Sequence, residues 1–191
     1  MSTLVIVLRI LPLLAFAGSM LFSASAHRGG GKGRAGQSRG DRAPLVANVA
    51  AFGLYVVSLV VSSGGPAGFA ALLLASSGAL LGLAGAAVVV RSRAELGPAW
   101  SFVPVADQGM GLVTTGPYGV VRHPIYFGLL LFAIGEALAF GSWPALMIVL
   151  SGIAPTFAWR AYAEETLLSR TFGDGYTAYQ TRTTMIVPYL F

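Results

Sequence analysis

The chain has 191 residues, 55% hydrophobic and only 10% charged, with apolar residues gathered in blocks rather than scattered stripes. That pattern marks an all-α integral membrane protein. The net charge of +5 does not imply a nucleic-acid partner, because the basic residues cluster between apolar blocks, where they set topology. Cysteine is absent, which excludes disulfides, thiolate metal sites and cysteine nucleophiles, and two histidines far apart are too few for a histidine-rich metal site.

The first apolar block, residues 4–26, is long enough to span a bilayer. Ala24-Ser25-Ala26 looks like a signal cleavage site, but Arg9 falls inside the apolar stretch and no basic residue precedes it. That order favours a retained helix with its amino end outside and Arg9 snorkelling to the outer headgroups. Residues 27–44 are rich in Gly, Ser and Arg and form a flexible, topology-setting loop. Their Gly-Gly-Gly-Lys run lacks the flanking pattern of a phosphate-binding loop.

Residues 45–63 and 67–90 are the next two spans, joined antiparallel at Gly64-Gly65-Pro66, and Gly78, Gly82, Gly85 and Ala86 permit close helix contact. The mixed stretch 91–122, with Pro98, Trp100, Pro104 and Asp107, reads as an interfacial segment. Residues 125–140 and 144–159 form a last, short hairpin around Gly141-Ser142-Trp143, and a polar tail opens at Arg160 as a helix. About five transmembrane helices result, arranged as an amino-terminal region 1–90 and a second region 91–191 containing the hairpin 125–159.

Of the twelve Lys and Arg residues, all except Arg9 lie in the three polar segments, which five spans place on one face. The positive-inside rule makes that face cytoplasmic. Of the seven acids only Glu136 lies within an apolar block, where a functional or pairing role stands beside a plain packing role.

The chemistry concentrates around residues 116–128. Gly116-Pro117-Tyr118-Gly119 and Arg122-His123-Pro124-Ile125-Tyr126-Phe127-Gly128 place prolines, rings, an arginine and a histidine directly before an apolar helix. Pro124 at its first turn would leave backbone N–H groups for an anionic ligand group. Further on, Arg160 and Glu164 share a helix face by i, i+4 spacing while Glu165 points about 100° away. Taken alone, that fragment is an ordinary exposed ion pair with a solvated glutamate.

In combination these motifs, with Leu96-Gly97, Trp100-Ser101, Leu112 to Thr115, Phe172-Gly173, Tyr176, Tyr179 and Pro188 in fixed order, resemble the isoprenylcysteine carboxyl methyltransferase family and the related membrane phospholipid N-methyltransferases. The resemblance covers about half the chain, from Leu96 to Pro188, and leaves the first three spans and the glycine-rich loop unmatched. It implies an S-adenosylmethionine-dependent membrane methyltransferase whose cytoplasmic-face cofactor pocket is formed by the carboxy-terminal half. The expected cofactor-binding residues are Gly116, Pro117, Tyr118, Arg122, His123, Pro124, Tyr126, Gly128 and Glu165.

Arg122, His123 and the helix start would meet the cofactor carboxylate, and Glu165 its amino group or ribose. Tyr118 and Tyr126 would cover adenine or face the sulfonium, while Gly116 and Gly128 would admit flat groups. By similarity to the family, Arg160 and Glu164 flank the acceptor, a lipophilic or small molecule. High Ala and Gly usage points to a bacterial source, hence the inner membrane. Two competing readings are a nicotinamide-dependent membrane sterol reductase, which resembles the same carboxy-terminal pattern, and a non-enzymatic packing or transport protein. The complete Glu-Glu and Phe-Gly-x-x-Tyr-x-x-Tyr runs favour methyl transfer over the first, and the lack of an internal repeat weighs against a transporter.

Overall fold

Apolar blocks without a solvent to hide from must satisfy their backbone internally, and helices do this within one segment. A computed structural model describes residues 3–26, 43–62, 65–97 and 111–190, and no strand forms among them. Its helices are α1 (Thr3–Ala26), α2 (Ala43–Val61), α3 (Gly68–Leu96), α4 (Pro124–Phe140), α5 (Trp143–Ile148), α6 (Ala154–Phe172) and α7 (Asp174–Gln180). A π-helical turn, Val149–Ile153, joins α5 to α6 in one continuous rod. Pro155, in the first turn of α6, has no N–H for the carbonyl of Ser151, and the wider π turn absorbs that missing bond.

Two helices are long and apolar enough to cross a membrane, Gly68–Leu96 and Trp143–Phe172. Three shorter apolar stretches accompany them, Thr3–Gly18, Val46–Val61 and Pro124–Phe140. In the second long helix the apolar run ends at Trp159, and the charged continuation from Arg160 projects beyond it.

The seam between α3 and α4 organises the bundle. Gly78 lies against Gly135 and Ala139, Gly82 against Gly135, and Gly85 against Gly128 and Phe132, so the two backbones nearly touch. A Cβ on Gly78 would sit 2.4 Å from both the Gly135 carbonyl oxygen and the Ala139 nitrogen. Contact this close replaces hydrophobic drive, which lipid does not supply between helices, with dispersion across a long interface. The small residues of α3 therefore serve α4; α2 packs instead along α5, the π turn and α6.

The α1 helix runs antiparallel to α4. Arg9 meets the Ala139 carbonyl, and the Phe16 and Phe132 rings stack 4.4 Å apart. The snorkelling expected for Arg9 does not occur. Its side chain is buried, its Nε donates to Ala139 O at 2.7 Å, and its guanidinium lies over the Phe140 ring. The carbonyls of a helix's last turn lack intrahelical donors and carry negative partial charge, so a cation supplied by α1 closes the end of α4.

The interfacial reading of 91–122 also changes at its start, because α3 continues as helix through Leu96 before Gly97, at φ +51°, ends it. Residues 98–110, with Pro98, Trp100, Ser101, Pro104 and Asp107, lie outside the described residues, as does the core of the glycine-rich loop, 27–42.

Both hairpin turns share one end of the bundle. Gly65 packs on the Phe140 carbonyl, Pro66 on Gly141, and the Ser142 hydroxyl donates to Ser62 at 2.9 Å while capping α5 through Ala145 N–H. The opposite end gathers the carboxyl end of α3, the amino end of α4 and the charged part of α6. The polar chemistry is collected there.

Candidate active site

Three short pieces of chain meet at that end: the 3₁₀ turn Gly116–Gly119, the residues entering α4, and the first charged turns of α6. The tail after α7 ties them together. Arg122 N–H donates to Thr184 O and His123 N–H to Met185 O, both at 2.9 Å, beside an isolated parallel bridge between Val121 and Thr184.

The 3₁₀ turn is pinned from two sides. Thr115 Oγ1 donates to the carboxylate of Glu95 at the end of α3, and Tyr179 O–H donates to the Tyr118 carbonyl at 2.6 Å. Gly116 adopts φ +58° with Glu95 against its open face, a left-handed conformation that favours glycine. Pro117 sits in the first turn and Tyr118 is buried.

Arg122 and Glu165 form one half of the site. Arg122 Nε donates to Glu165 Oε1 at 2.5 Å, and its Nη1 reaches the carbonyls of Thr183 and, at 3.3 Å, Gln180. Gln180 Nε2 donates to the other Glu165 oxygen at 3.1 Å. The expectation that Arg122 donates to a cofactor carboxylate is narrowed to its Nη2, because Nε and Nη1 are engaged by Glu165 and the tail and make it a brace of this wall.

Glu164 centres the other half. Tyr126 O–H donates to Glu164 Oε1, Arg160 Nε donates to the Tyr126 oxygen at 3.2 Å, and Arg160 Nη2 stands 3.7 Å from Glu164. The Arg160 guanidinium also lies over the Tyr126 ring, 5.6 Å from its centroid. Tyr126 is held flat by stacking between His123 (5.5 Å) and Phe157 (4.9 Å).

His123 joins the halves, with Nδ1 3.5 Å from Glu164 and Nε2 3.6 Å from Glu165. It is buried, and Nε2 has no hydrogen-bond partner among the described residues. The Tyr176 hydroxyl and Thr184 Oγ1 are likewise buried and unpartnered.

Burial alone would lower the His123 pKa, but the two facing carboxylates outweigh it and raise it. Burial would raise that of Glu165, yet the adjoining His123, the hydrogen-bonded Arg122 and the charges of both win, holding it at about 2. A depressed Glu165 stabilises the fold above the ordinary carboxylate range of about 4.3, and that stabilisation fades as pH falls toward 2. A raised His123 contributes fully below about 6.5 and is lost as pH climbs through its folded-state value. Thermal midpoints measured against pH should therefore be highest between about pH 4.3 and 6.5 and fall on both sides, with Glu165→Gln flattening both limbs. A midpoint that stays level from well below pH 4.3 to well above pH 6.5 and is insensitive to Glu165→Gln would contradict this coupling.

Two expected residues take other places. Gly128 faces α3, where a Cβ would meet the Gly85 oxygen and Val89, so it is a packing glycine and not an opening for a flat ligand group. Pro124 occupies the first helical position as foreseen, but Tyr126 and Phe127 N–H both turn back to His123 O, so the helix start offers fewer free donors than its sequence suggests. Glu95, Phe157 and Gln180 escaped the sequence reading. Glu95 ends a long apolar helix, Phe157 is one apolar residue among many, and Gln180 belongs to no motif; no local signal marked them.

A protein-S-isoprenylcysteine O-methyltransferase of Schizosaccharomyces pombe is 32% identical over 77 residues, which cover 40% of this chain and 33% of that protein. The matched stretch thus spans about a third of that relative's length. The solved structure of the eukaryotic intramembrane Ras methyltransferase ICMT superposes with a TM-score of 0.57 at 17% identity, over 96% of this chain and 68% of that one, a likeness of fold. The family profile for phospholipid methyltransferase matches residues 73–175, from the second turn of α3 through the 3₁₀ turn, α4 and the charged helix α6. That stretch is just over half of the chain and holds every polar side chain of the site except those of α7 and the tail; the chain belongs to the phospholipid methyltransferase family.

Proposed function

We propose that the protein is an S-adenosylmethionine-dependent membrane methyltransferase acting on a lipophilic or small-molecule acceptor. One observation carries this reading: a ring stack and two adjacent carboxylates, braced by two arginines and a histidine, close one end of an otherwise apolar bundle. The residues fit an amino-acid-bearing sulfonium cofactor. His123 Nε2 and the Tyr176 hydroxyl are buried polar atoms wanting partners, suited to a carboxylate, and Glu164 and Glu165 offer acceptors to an ammonium group. When bound, the cofactor supplies an electrophilic methyl group that passes to the acceptor as the carbon–sulfur bond breaks.

What remains for the protein is positioning and the exclusion of water. Arg122 fixes Glu165 and, through the tail carbonyls, closes the wall behind it. Arg160, steadied by Tyr126 and Glu164, presents its guanidinium to a polar or anionic acceptor group. With an amine or thiol acceptor, Glu164 takes the released proton. The apolar faces of five membrane-crossing helices would admit a lipid-like acceptor sideways, and the positive-inside rule sets the site on the cytoplasmic side of a bacterial inner membrane.

Calorimetry on the detergent-purified protein tests the cofactor. S-adenosylmethionine and S-adenosylhomocysteine should bind and NADPH should not, and methyl-labelled S-adenosylmethionine incubated with membrane extract should label a lipid or small metabolite. Binding of NADPH with no response to either adenosyl compound would replace this reading with a reductase.

A further inference from the structure

Asn48 is a buried amide in the apolar helix α2, and the phospholipid methyltransferase profile, residues 73–175, does not reach it. A buried amide needs a partner, and this one finds it on another helix. Asn48 Nδ2 donates to Thr156 Oγ1, in the first turn of α6, at 2.9 Å. The Thr156 hydroxyl in turn donates to Ile153 O, 2.8 Å away, at the end of the π turn.

The place of this bond gives it leverage. Pro155 and the π turn make this the point at which α6 is least tied to α5, since one backbone bond of the rod is already missing there. Thr156 is followed at once by Phe157, which stacks on Tyr126 at 4.9 Å, and one turn later by Arg160, whose Nε donates to the Tyr126 oxygen at 3.2 Å. One turn along α2 from Asn48, Phe52 lies 6.0 Å from the same Phe157 ring, and the Tyr55 hydroxyl donates to Ala133 O of α4 at 2.8 Å. The α2 helix thus grips α6 by one polar and one aromatic contact and α4 by a second hydrogen bond. Lipid supplies no hydrophobic drive between helices, so a directional bond sets rotation where apolar contact alone lets a helix turn.

We propose that Asn48 is a positioning residue for the acceptor half of the site: by holding Thr156 it fixes the rotation of α6 that lays Phe157 on Tyr126 and brings Arg160 to the Tyr126 oxygen. The inference rests on the acceptor-binding role proposed for Arg160. Asn48 acts through α6 and not on the ligands themselves.

The test uses the full chain in lipid nanodiscs, as wild type, Asn48→Leu, Thr156→Val and Thr156→Ser. Nitrogen–proton NMR follows the Arg160 Nε–H resonance, assigned by its loss in Arg160→Lys, and reports the bond to Tyr126 with no ligand present. Asn48→Leu and Thr156→Val should each displace that resonance, and Thr156→Ser, which keeps the hydroxyl, should leave it in place. The rate at which methyl label passes from S-adenosylmethionine into membrane extract should fall about fivefold in the first two, the scale of one lost hydrogen bond, with calorimetric affinity for the cofactor unchanged. Adding Asn48→Leu to Arg160→Ala should slow transfer no further. A bond that merely stabilises the bundle would lower the thermal midpoint while the resonance stays where it is, and that result overturns the proposal, as does a loss in Asn48→Leu that falls equally on cofactor affinity. A wild type that binds neither adenosyl compound while its Arg160 resonance still follows Asn48 upholds the positioning and removes the methyltransferase reading alone.

Discussion

Replacing Glu165 by alanine is expected to weaken S-adenosylmethionine binding by at least about 100-fold while the helices remain folded. Glu165 accepts from Arg122 and Gln180 and stands 3.6 Å from His123, and its side chain is 12% exposed. Removing it strands the Arg122 guanidinium, itself 11% exposed, and breaking one partner from a buried pair typically costs about 3–5 kcal/mol. The loss should reach the cofactor because Arg122 also holds the tail at Gln180 and Thr183, and the neighbouring tail carbonyls fix the backbone of Arg122 and His123. Glu165→Gln keeps an acceptor for Arg122 but no charge, and should fall between the two. Calorimetric affinity checks the order; an alanine variant within about threefold of wild type would remove Glu165 from the cofactor's surroundings.

The reach of the sequence follows from the range of each interaction. The helices themselves were readable because apolar runs satisfy their backbone within one segment, and the pairing of Arg160 with Glu164 was readable because i, i+4 spacing is local. The meeting of Arg122-His123 with Glu164-Glu165 followed from a family pattern, not from any local rule. Interactions decided by three-dimensional packing were not legible. Arg9 looked like a snorkelling residue because nothing near it in sequence announces the Ala139 carbonyl, 130 positions away. Gly128 looked like part of a ligand loop because it ends the motif, yet one turn further along α4 than Pro124 the helix already faces Gly85. Arg122 was assigned a ligand because an arginine before a helix start invites an anion. Only the folded tail reveals that Glu165, Gln180 and Thr183 engage it first.

The second large effect separates the two halves of the site. Arg160→Ala should lower kcat/KM for methyl transfer by about 10²–10³, the usual cost of one positioned donor, while leaving cofactor affinity intact. Arg160 touches the site through Tyr126 and Glu164, whereas the Arg122–Glu165 wall closes without it. Tyr126→Phe distinguishes charge from placement. Its ring keeps the stack between His123 and Phe157, but the hydroxyl that accepts from Arg160 and donates to Glu164 is gone. That variant should raise KM for the acceptor at least about tenfold with little change in cofactor affinity, since a hydrogen bond to a charged group contributes about 1.5–3 kcal/mol. Because the tyrosine acts through the arginine, the Tyr126→Phe/Arg160→Ala double variant should be no slower than Arg160→Ala alone. If the two losses multiply, Tyr126 serves the reaction independently of Arg160; if Arg160→Ala weakens cofactor binding as severely as Glu165→Ala, the site has no separate acceptor half.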